Sequence, residues 1–205
     1  MRHYLLENRL GNPAITSIFW LTSHTSIHHL YHLIRFEQVN KVSLNQTTNV
    51  IEFGGGYGNI AKIYRRINPS CTYVIIDLPV VCCIQYVYLS TLLGRDSVYF
   101  VSDTGDRTRI GKINLVPIRF MEYLEDIPNG LFVSTWGLSE ATAEAQSFIQ
   151  KKKFFNTKSI LLAFQANNDT FQLAENVVSL VSSLKDKCYH LEEIPFLKNN
   201  YYLFA

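Results

Sequence analysis

Four glycines, Gly54, Gly55, Gly56 and Gly58, fall within five residues of the segment IEFGGGYGN, directly behind a short apolar run that holds the acid Glu52. Glycine costs backbone entropy, so such a cluster persists where a side chain would block a close approach. A second acid, Asp77, ends another apolar run, at the spacing of about 20 residues that suits bonds to ribose hydroxyls. A third, Glu140, follows the polar stretch STWGLS, which also holds Ser134 and Trp136. Histidines 24, 28, 29 and 32 crowd into HTSIHHLYH. Glycines and an acid at strand ends suit a nucleotide-like ligand, and carboxylates and imidazoles can take a proton from a hydroxyl.

The elements that must position these groups alternate between extended and helical. NVIEF (49–53) and TYVIID (72–77) are continuous apolar runs, as expected of parallel strands covered on both faces. A helix from about Asn59 to Arg66 ends at Asn68-Pro69, and Pro79 opens another that closes at Gly94. SVYFV (97–101) and KINLVPI (112–118) are both extended; one is the third sheet strand and the other a hairpin partner or a connection. GLFVSTWG (130–137) is a fourth strand, followed by a helix that starts at Gly137 or Ser139 and runs through SEATAEAQSFIQKKKFF. SILLAFQA (159–166) is a fifth, with a helix near 170–186. CYHLEEIPFL and NYYLFA, joined by KNN, form a terminal antiparallel hairpin, on whose last strand the domain is expected to be complete.

At the other end, Asn12-Pro13 signals a helix start. Helix is expected from there to about Val39, broken near residues 23–26, with Ser26 capping a second piece whose apolar face is Ile27, Leu30, Tyr31 and Ile34. The expected organisation is an N-terminal helical cap, 1–45, on a doubly wound α/β domain, 46–205.

The glycine loop allows two registers. Starting at Gly56, GYGNIA is an acceptable dinucleotide fingerprint. That register places Glu52 where a buried strand wants an apolar side chain, which is costly. Starting at Gly54, the loop reads Gly-x-Gly-x-Gly, with Glu52 at the strand's carboxyl end, where ligands bind. A carboxylate there suits S-adenosylmethionine, which carries an ammonium and a sulfonium and no pyrophosphate. The bland alternative is a tight turn with Asp77 capping the helix at Pro79.

The stretch NVIEFGGGYGNIAKIYRRINPSCTYVIIDLP resembles the first half of class I S-adenosylmethionine-dependent methyltransferases. Its Glu-Phe-Gly-Gly-Gly-Tyr-Gly form, the IDLP after it, LFVSTWGLSEAT and the upstream ENRLGNP are similar to a group of sugar O-methyltransferases. The resemblance implies a mostly parallel sheet of seven strands, the last antiparallel. It also implies cofactor contacts from Glu52, Gly54, Gly56 and Asp77. Gly55, Tyr57, Gly58, Leu78, Ser134 and Trp136 complete the expected cofactor set. STWG departs from the more asparagine-rich pattern of that group, which weakens the carry-over of a sugar acceptor.

Methyl transfer to oxygen needs alignment and removal of a hydroxyl proton. Glu140 is the first candidate for a base or acceptor-orienting carboxylate, against a plain role complementing a helix dipole. Gln165, Asn167, Asn168 and Asp169 offer polar groups after the fifth strand. Trp136 stacks on a ring or packs in the core. His24, His28 and His32 recur on one helix flank, read as a half-buried polar edge. His28 or His29 serving as a base over the site is the better functional reading than a metal, for which no paired Cys or His-Glu-x-x-His pattern exists.

Composition sets the outer bounds. With 205 residues, 47% hydrophobic and 18% charged, the chain has core material for one domain. A net charge of +2 gives no electrostatic case for nucleic acid, and Lys151–Lys153 reads as a solvated helix end. No apolar stretch reaches the roughly 18–20 residues of a membrane span, and the first residues lack a secretory pattern. Cys71, Cys82, Cys83 and Cys188 read as reduced thiols of a cytoplasmic protein. The expectation is an S-adenosylmethionine-dependent O-methyltransferase acting on a sugar, a glycan precursor or another small polar hydroxyl compound. A nicotinamide-dependent oxidoreductase and a non-catalytic methyltransferase-like partner subunit are the alternatives.

Overall fold

A chain reversal, in which the strand that follows the glycine loop pairs on one side and a later strand on the other, organises the sheet. The computed structural model describes residues 2–165, 184 and 188–205. Helix α1 (Arg2–Leu5) and a short antiparallel ribbon of β1 (Ile15–Ser17) and β2 (Thr22–Ser23) precede helix α2 (His24–Asn40). Then come β3 (Asn49–Phe53), α3 (Asn59–Ile67), β4 (Thr72–Asp77) and α4 (Pro79–Leu93). They are followed by β5 (Val98–Phe100), β6 (Ile113–Pro117), β7 (Leu131–Thr135) and α5 (Ala143–Lys151). The last elements are β8 (Ser159–Gln165), β9 (His190–Glu193) and β10 (Asn200–Phe204).

Among the described residues the main sheet has eight strands in the order β5-β6-β4-β3-β7-β8-β10-β9. The first six are parallel, and β10 runs antiparallel to both β8 and β9. This is the expected doubly wound α/β sheet with its antiparallel terminal hairpin, with one strand more than the expected seven. The two candidates for the third strand are both in it. KINLVPI supplies β6, beside β4, and SVYFV supplies β5, at the edge and parallel to β6 rather than in a hairpin. The connection from Phe100 to Ile113 is long enough to cross over between parallel strands, which takes about a dozen residues. Asp106 closes its first turn by accepting bonds from the Ser102 and Asp103 amides and the Tyr99 hydroxyl.

Alternation along each strand divides the core between two faces. Val50, Tyr73, Ile75, Val133, Leu161 and Tyr202 face α2, α3 and α4. Ile51, Val74, Ile76, Phe132, Leu162 and Leu203 face α5 and the turns around it. No helix among the described residues is long and apolar enough to cross a membrane.

The N-terminal expectation needs correction. Gly11 and Asn12 are both left-handed, with φ of 79° and 50°, so the chain turns at Asn12-Pro13 and a β-ribbon takes the place of the first helix. Ser23, not Ser26, caps α2, its Oγ accepting the Ser26 amide at 3.1 Å. The Ser26 hydroxyl is occupied elsewhere: with that of Ser23 it donates to Glu7. The helix after β7 also starts later than expected, at Ala143 behind a Thr142 cap, because residues 137–141 are spent in a turn. It stops at Lys151, before a left-handed run from Lys153 to Asn156. The helix expected near 170–186 lies outside the described residues apart from Leu184.

A buried ion pair fastens the N-terminal segment to α3. Lys62 is 1% exposed and its Nζ donates to Glu7 Oε2 at 2.9 Å. Arg66, one turn on, donates to the carbonyls of Tyr4 and Leu6 and to Asn8 Oδ1. Burial works to raise the Glu7 pKa, but the two serine hydroxyls and Lys62 together hold it below the ordinary carboxylate value. Removing one partner of such a pair leaves the other charge uncompensated, so Lys62→Met is expected to cost about 3–5 kcal/mol in urea unfolding. The wild type should lose stability as pH falls through the lowered Glu7 pKa, below the unfolded value of about 4.3. A Lys62→Met cost under about 1 kcal/mol would mean that the pair behaves as a surface bridge.

Candidate functional site

The order of the chain reverses between β3 and β7, and in open α/β sheets ligands bind at the carboxyl ends of strands beside such a reversal. Here the two loops come into backbone contact. A Cβ built on Gly54, after β3, would lie 2.7 Å from the Cα of Gly137, after β7; one built on Gly137 would lie 2.7 Å from both the Gly54 Cα and the Phe53 carbonyl oxygen. Any side chain at either position drives the loops apart. Ser134 ties the same strand ends together, donating to Phe53 O and accepting the Leu138 amide, both at 2.8 Å.

Beside this contact opens a cleft of about 410 Å³, within the range of small-molecule sites. Gly54, Gly56, Asp77 and Leu78 line one side, Gly137, Glu140 and Ala141 the other, with Ile118 at an edge. Gly56 is left-handed at φ 54°, and a Cβ there would meet nothing within 4 Å, so the loop leaves an open cradle. Asp77 Oδ1 accepts the Leu78 amide at 2.8 Å and Oδ2 accepts Gln85 Nε2 at 2.9 Å. Burial raises the Asp77 pKa against these bonds. Gln85 Nε2 also donates to the Gly56 carbonyl at 2.8 Å, so one amide couples the loop to the acid. The lining carries two carboxylates and, among the described residues, no lysine or arginine. That charge suits a cationic ligand with hydroxyls to bond, and offers a pyrophosphate no cationic side chain.

Five of the predicted site residues, Gly54, Gly56, Asp77, Leu78 and Glu140, therefore share the cleft. The others are placed around it. Glu52 is not on the rim: it is 1% exposed, lies in register with Ile75 and Val133, and tucks its carboxylate beneath Gly55. Tyr73 donates to Oε2 at 3.0 Å, and Oε1 is buried without a partner. Burial is the main cause that pushes the Glu52 pKa up to about 8, so the group stays a neutral acid at lower pH and the cost of a charge inside the strand is avoided. Glu52, buried and neutral, therefore does not distinguish the two glycine registers; the acidic lining of the cleft favours the one that starts at Gly54. Gly55 packs on Ile75 and Glu52, and Gly58 packs on Leu89. Tyr57 turns to the opposite side of the loop, edge-on to Tyr88 with ring centroids 5.1 Å apart.

Trp136 faces away from the cleft. Its indole donates to Asn200 Oδ1 at 2.7 Å and its ring meets His32 edge-on. His28 stacks on Phe196 with ring centroids 4.3 Å apart and meets His24 at a tilt, 3.9 Å away. His29 accepts or shares a bond with Asn59 Nδ2 at 2.9 Å, and burial lowers its pKa to about 4. His32, bonded to the Tyr202 hydroxyl, is lowered to about 3, again chiefly by burial. Neither His28 nor His29 lines the cleft. Gln165 ends β8, while Asn167, Asn168 and Asp169 lie outside the described residues. Among the described residues no group of three His, Cys, Asp or Glu side chains is arranged to hold a metal ion.

Sequence reasoning missed Gly137, Gln85 and the Glu7–Lys62 pair. Lys62 carried a signal, a lysine amid the apolar residues of NIAKIY. Gly137 stood in the quoted STWG; Gln85 sat in an otherwise apolar helix, where only its contacts explain it.

No protein-family model and no curated protein sequence matches the chain. Solved structures do. A candidate O-methyltransferase from Nostoc punctiforme superposes with a TM-score of 0.57 at 12% identity, over 89% of this chain and 57% of its own. A precorrin-6y C5,15-methyltransferase from Geobacter metallireducens gives 0.53 at 14%, over 97% and 96%. Aeropyrum pernix fibrillarin, solved with natively bound S-adenosyl-L-methionine, gives 0.52 at 11%, over 86% and 73%. The chain thus has the Rossmann-like fold of these methyltransferases, and spans little more than half the length of the Nostoc protein.

The buried acid under the loop has a pH signature. An unfolded glutamate ionises near about 4.3, whereas folded Glu52 does so near about 8, so the folded chain holds an extra proton in between. Its contribution to stability is complete below the unfolded value and is lost as pH rises through the folded one. Glu52→Gln does not titrate, so its stability relative to wild type should improve steadily from about pH 5 to about pH 8 in urea unfolding series. A difference that does not vary with pH would show that the carboxylate titrates normally.

Proposed function

We propose that the chain is an S-adenosylmethionine-dependent methyltransferase that methylates a hydroxyl of a small molecule, a sugar being the acceptor its sequence resemblance suggests. The observation that carries the reading is the cleft at the sheet reversal, whose wall combines the open Gly56 cradle with Asp77 and Glu140 and, among the described residues, no cation. In this reading Asp77, which already accepts from Leu78, Gln85 and the Gly55 and Gly56 amides, also accepts ribose hydroxyls at the strand end. Glu140, exposed on the opposite wall, adds negative charge facing a cationic ligand. Bound S-adenosylmethionine supplies an electrophilic methyl group on a sulfonium, open to in-line attack by a hydroxyl oxygen. The chain's contribution is to fix that geometry, and the N-terminal segment, 1–45, covers the acceptor side. The same charge pattern disfavours the nicotinamide reading, because a dinucleotide brings two phosphates to an acidic wall.

Calorimetry tests the reading directly. Wild-type chain is expected to bind S-adenosylhomocysteine and to ignore NADH, and Asp77→Ala to weaken S-adenosylhomocysteine by about 10–100-fold through loss of charge-assisted bonds. Binding of NADH in place of S-adenosylhomocysteine would overturn it. With an acceptor in hand, Glu140→Gln separates the roles: a rise in acceptor KM at unchanged kcat marks an acceptor-orienting carboxylate, a change confined to cofactor affinity marks a cofactor contact, and a drop of about 10²–10⁴ in kcat marks a general base.

A further inference from the structure

Gln85, in the middle of α4, is fully buried, where the other buried side chains of that helix are Cys82, Tyr88 and Leu89. Its Nε2 donates to the Gly56 carbonyl at 2.8 Å and to Asp77 Oδ2 at 2.9 Å. Both partners are acceptors, so the amide is fixed with its nitrogen toward them, and Oε1 lies buried without a partner. An unmet buried acceptor costs stability, and an apolar side chain of the same shape would avoid that cost. The two partners do not need the amide for solvation: Gly56 is exposed and Asp77 partly so, within reach of water. Gln85 itself does not line the cleft, so it acts on a ligand there only through Gly56 and Asp77.

We infer that Gln85 is the positioning residue of the cofactor cleft: it sets the Gly56 cradle against Asp77 with a neutral donor, and leaves the acid's charge to favour the sulfonium form of the cofactor. The inference rests on the methyltransferase reading. Asp77 also takes the Gly55 and Gly56 amides, so acid, loop and glutamine form one closed set of bonds in which every donor is neutral. Among the described residues no lysine, arginine or histidine forms an ion pair with Asp77. A lysine or arginine in the place of Gln85 would make stronger bonds but cancel the charge. The amide orients the carboxylate and keeps it ionised, opposing the rise in pKa that burial imposes. What a retained charge does follows from the ligands: S-adenosylmethionine and S-adenosylhomocysteine differ by a methyl group and the positive charge on sulfur. An uncompensated carboxylate in the wall of a cleft attracts the first more than the second.

Calorimetric titrations of the full chain with S-adenosylmethionine and with S-adenosylhomocysteine read two affinities and their ratio for each variant. Gln85→Met keeps the volume and removes the donor; it should weaken both ligands by about tenfold and change their ratio by less than about twofold. Asp77→Asn removes the charge and should shift the ratio against S-adenosylmethionine by about fivefold or more. Gln85→Lys, which restores a donor but adds a charge, should shift it the same way. In an Asp77→Ala chain, Gln85→Met should cost about threefold or less, because the glutamine works through that acid. Urea unfolding checks that each variant is folded, and Asp77→Asn, at a partly exposed position, carries the charge test should Gln85→Lys not fold. If Gln85→Met binds both ligands as wild type does, or costs its full tenfold without Asp77, the positioning role falls and the cofactor assignment stands. A ratio unmoved in Asp77→Asn would remove the charge selection and likewise leave that assignment in place. If wild type binds neither ligand, the methyltransferase reading falls and takes this role with it.

Discussion

The approach of Gly54 to Gly137 is the constraint on which the site depends. It joins the two halves of the sheet where their winding diverges, and it does so through backbone alone. Everything at the cleft is referenced to it. Ser134 repeats the tie one layer below. The turn at 137–141 brings Glu140 and Ala141 to face Asp77 and Leu78. Gln85 then locks the free end of the glycine loop to the acid of the neighbouring strand. A binding surface made this way needs no rearrangement of packed side chains to keep its shape, which is what preorganisation requires.

Much of this fold is legible in the sequence, because local signals and the global arrangement agree there. The strands NVIEF and TYVIID run between the expected limits, and α4 spans the stretch that Pro79 opens and Gly94 closes. The terminal hairpin is equally plain. Misreadings fall where a distant partner overrides a local cue. Ser26 reads as a cap but gives its hydroxyl to Glu7, nineteen residues away in sequence. SVYFV and KINLVPI compete locally for one strand position, with the other left as a hairpin arm or a connection, but the sheet takes both, SVYFV as a parallel edge strand.

The site divides along the same line. Gly54, Gly56 and Asp77 announce themselves, since their residue types follow from main-chain geometry and strand ends. Trp136 and Tyr57 do not, since their chain positions are right for the cleft while their side chains leave it for Asn200 and Tyr88. A one-residue step along a loop reverses the side that a side chain serves, and nothing in the local sequence records the choice. Glu52 shows the converse. Its position in the motif is legible, but its state, a carboxylic acid held under the loop by Tyr73, follows only from burial.

The two fastenings of the N-terminal region differ in how they meet the solvent. Glu7 and Lys62 are sealed from it, whereas Arg35 on α2 grips Glu192 on β9 with both side chains partly exposed. Mobile ions screen exposed charges within a Debye length of about 8 Å at physiological ionic strength and barely reach buried ones. Rising salt therefore loosens the hold of α2 on the sheet edge while the seal of the first residues against α3 stays shut. The two ends of one N-terminal region thus respond separately to the same medium.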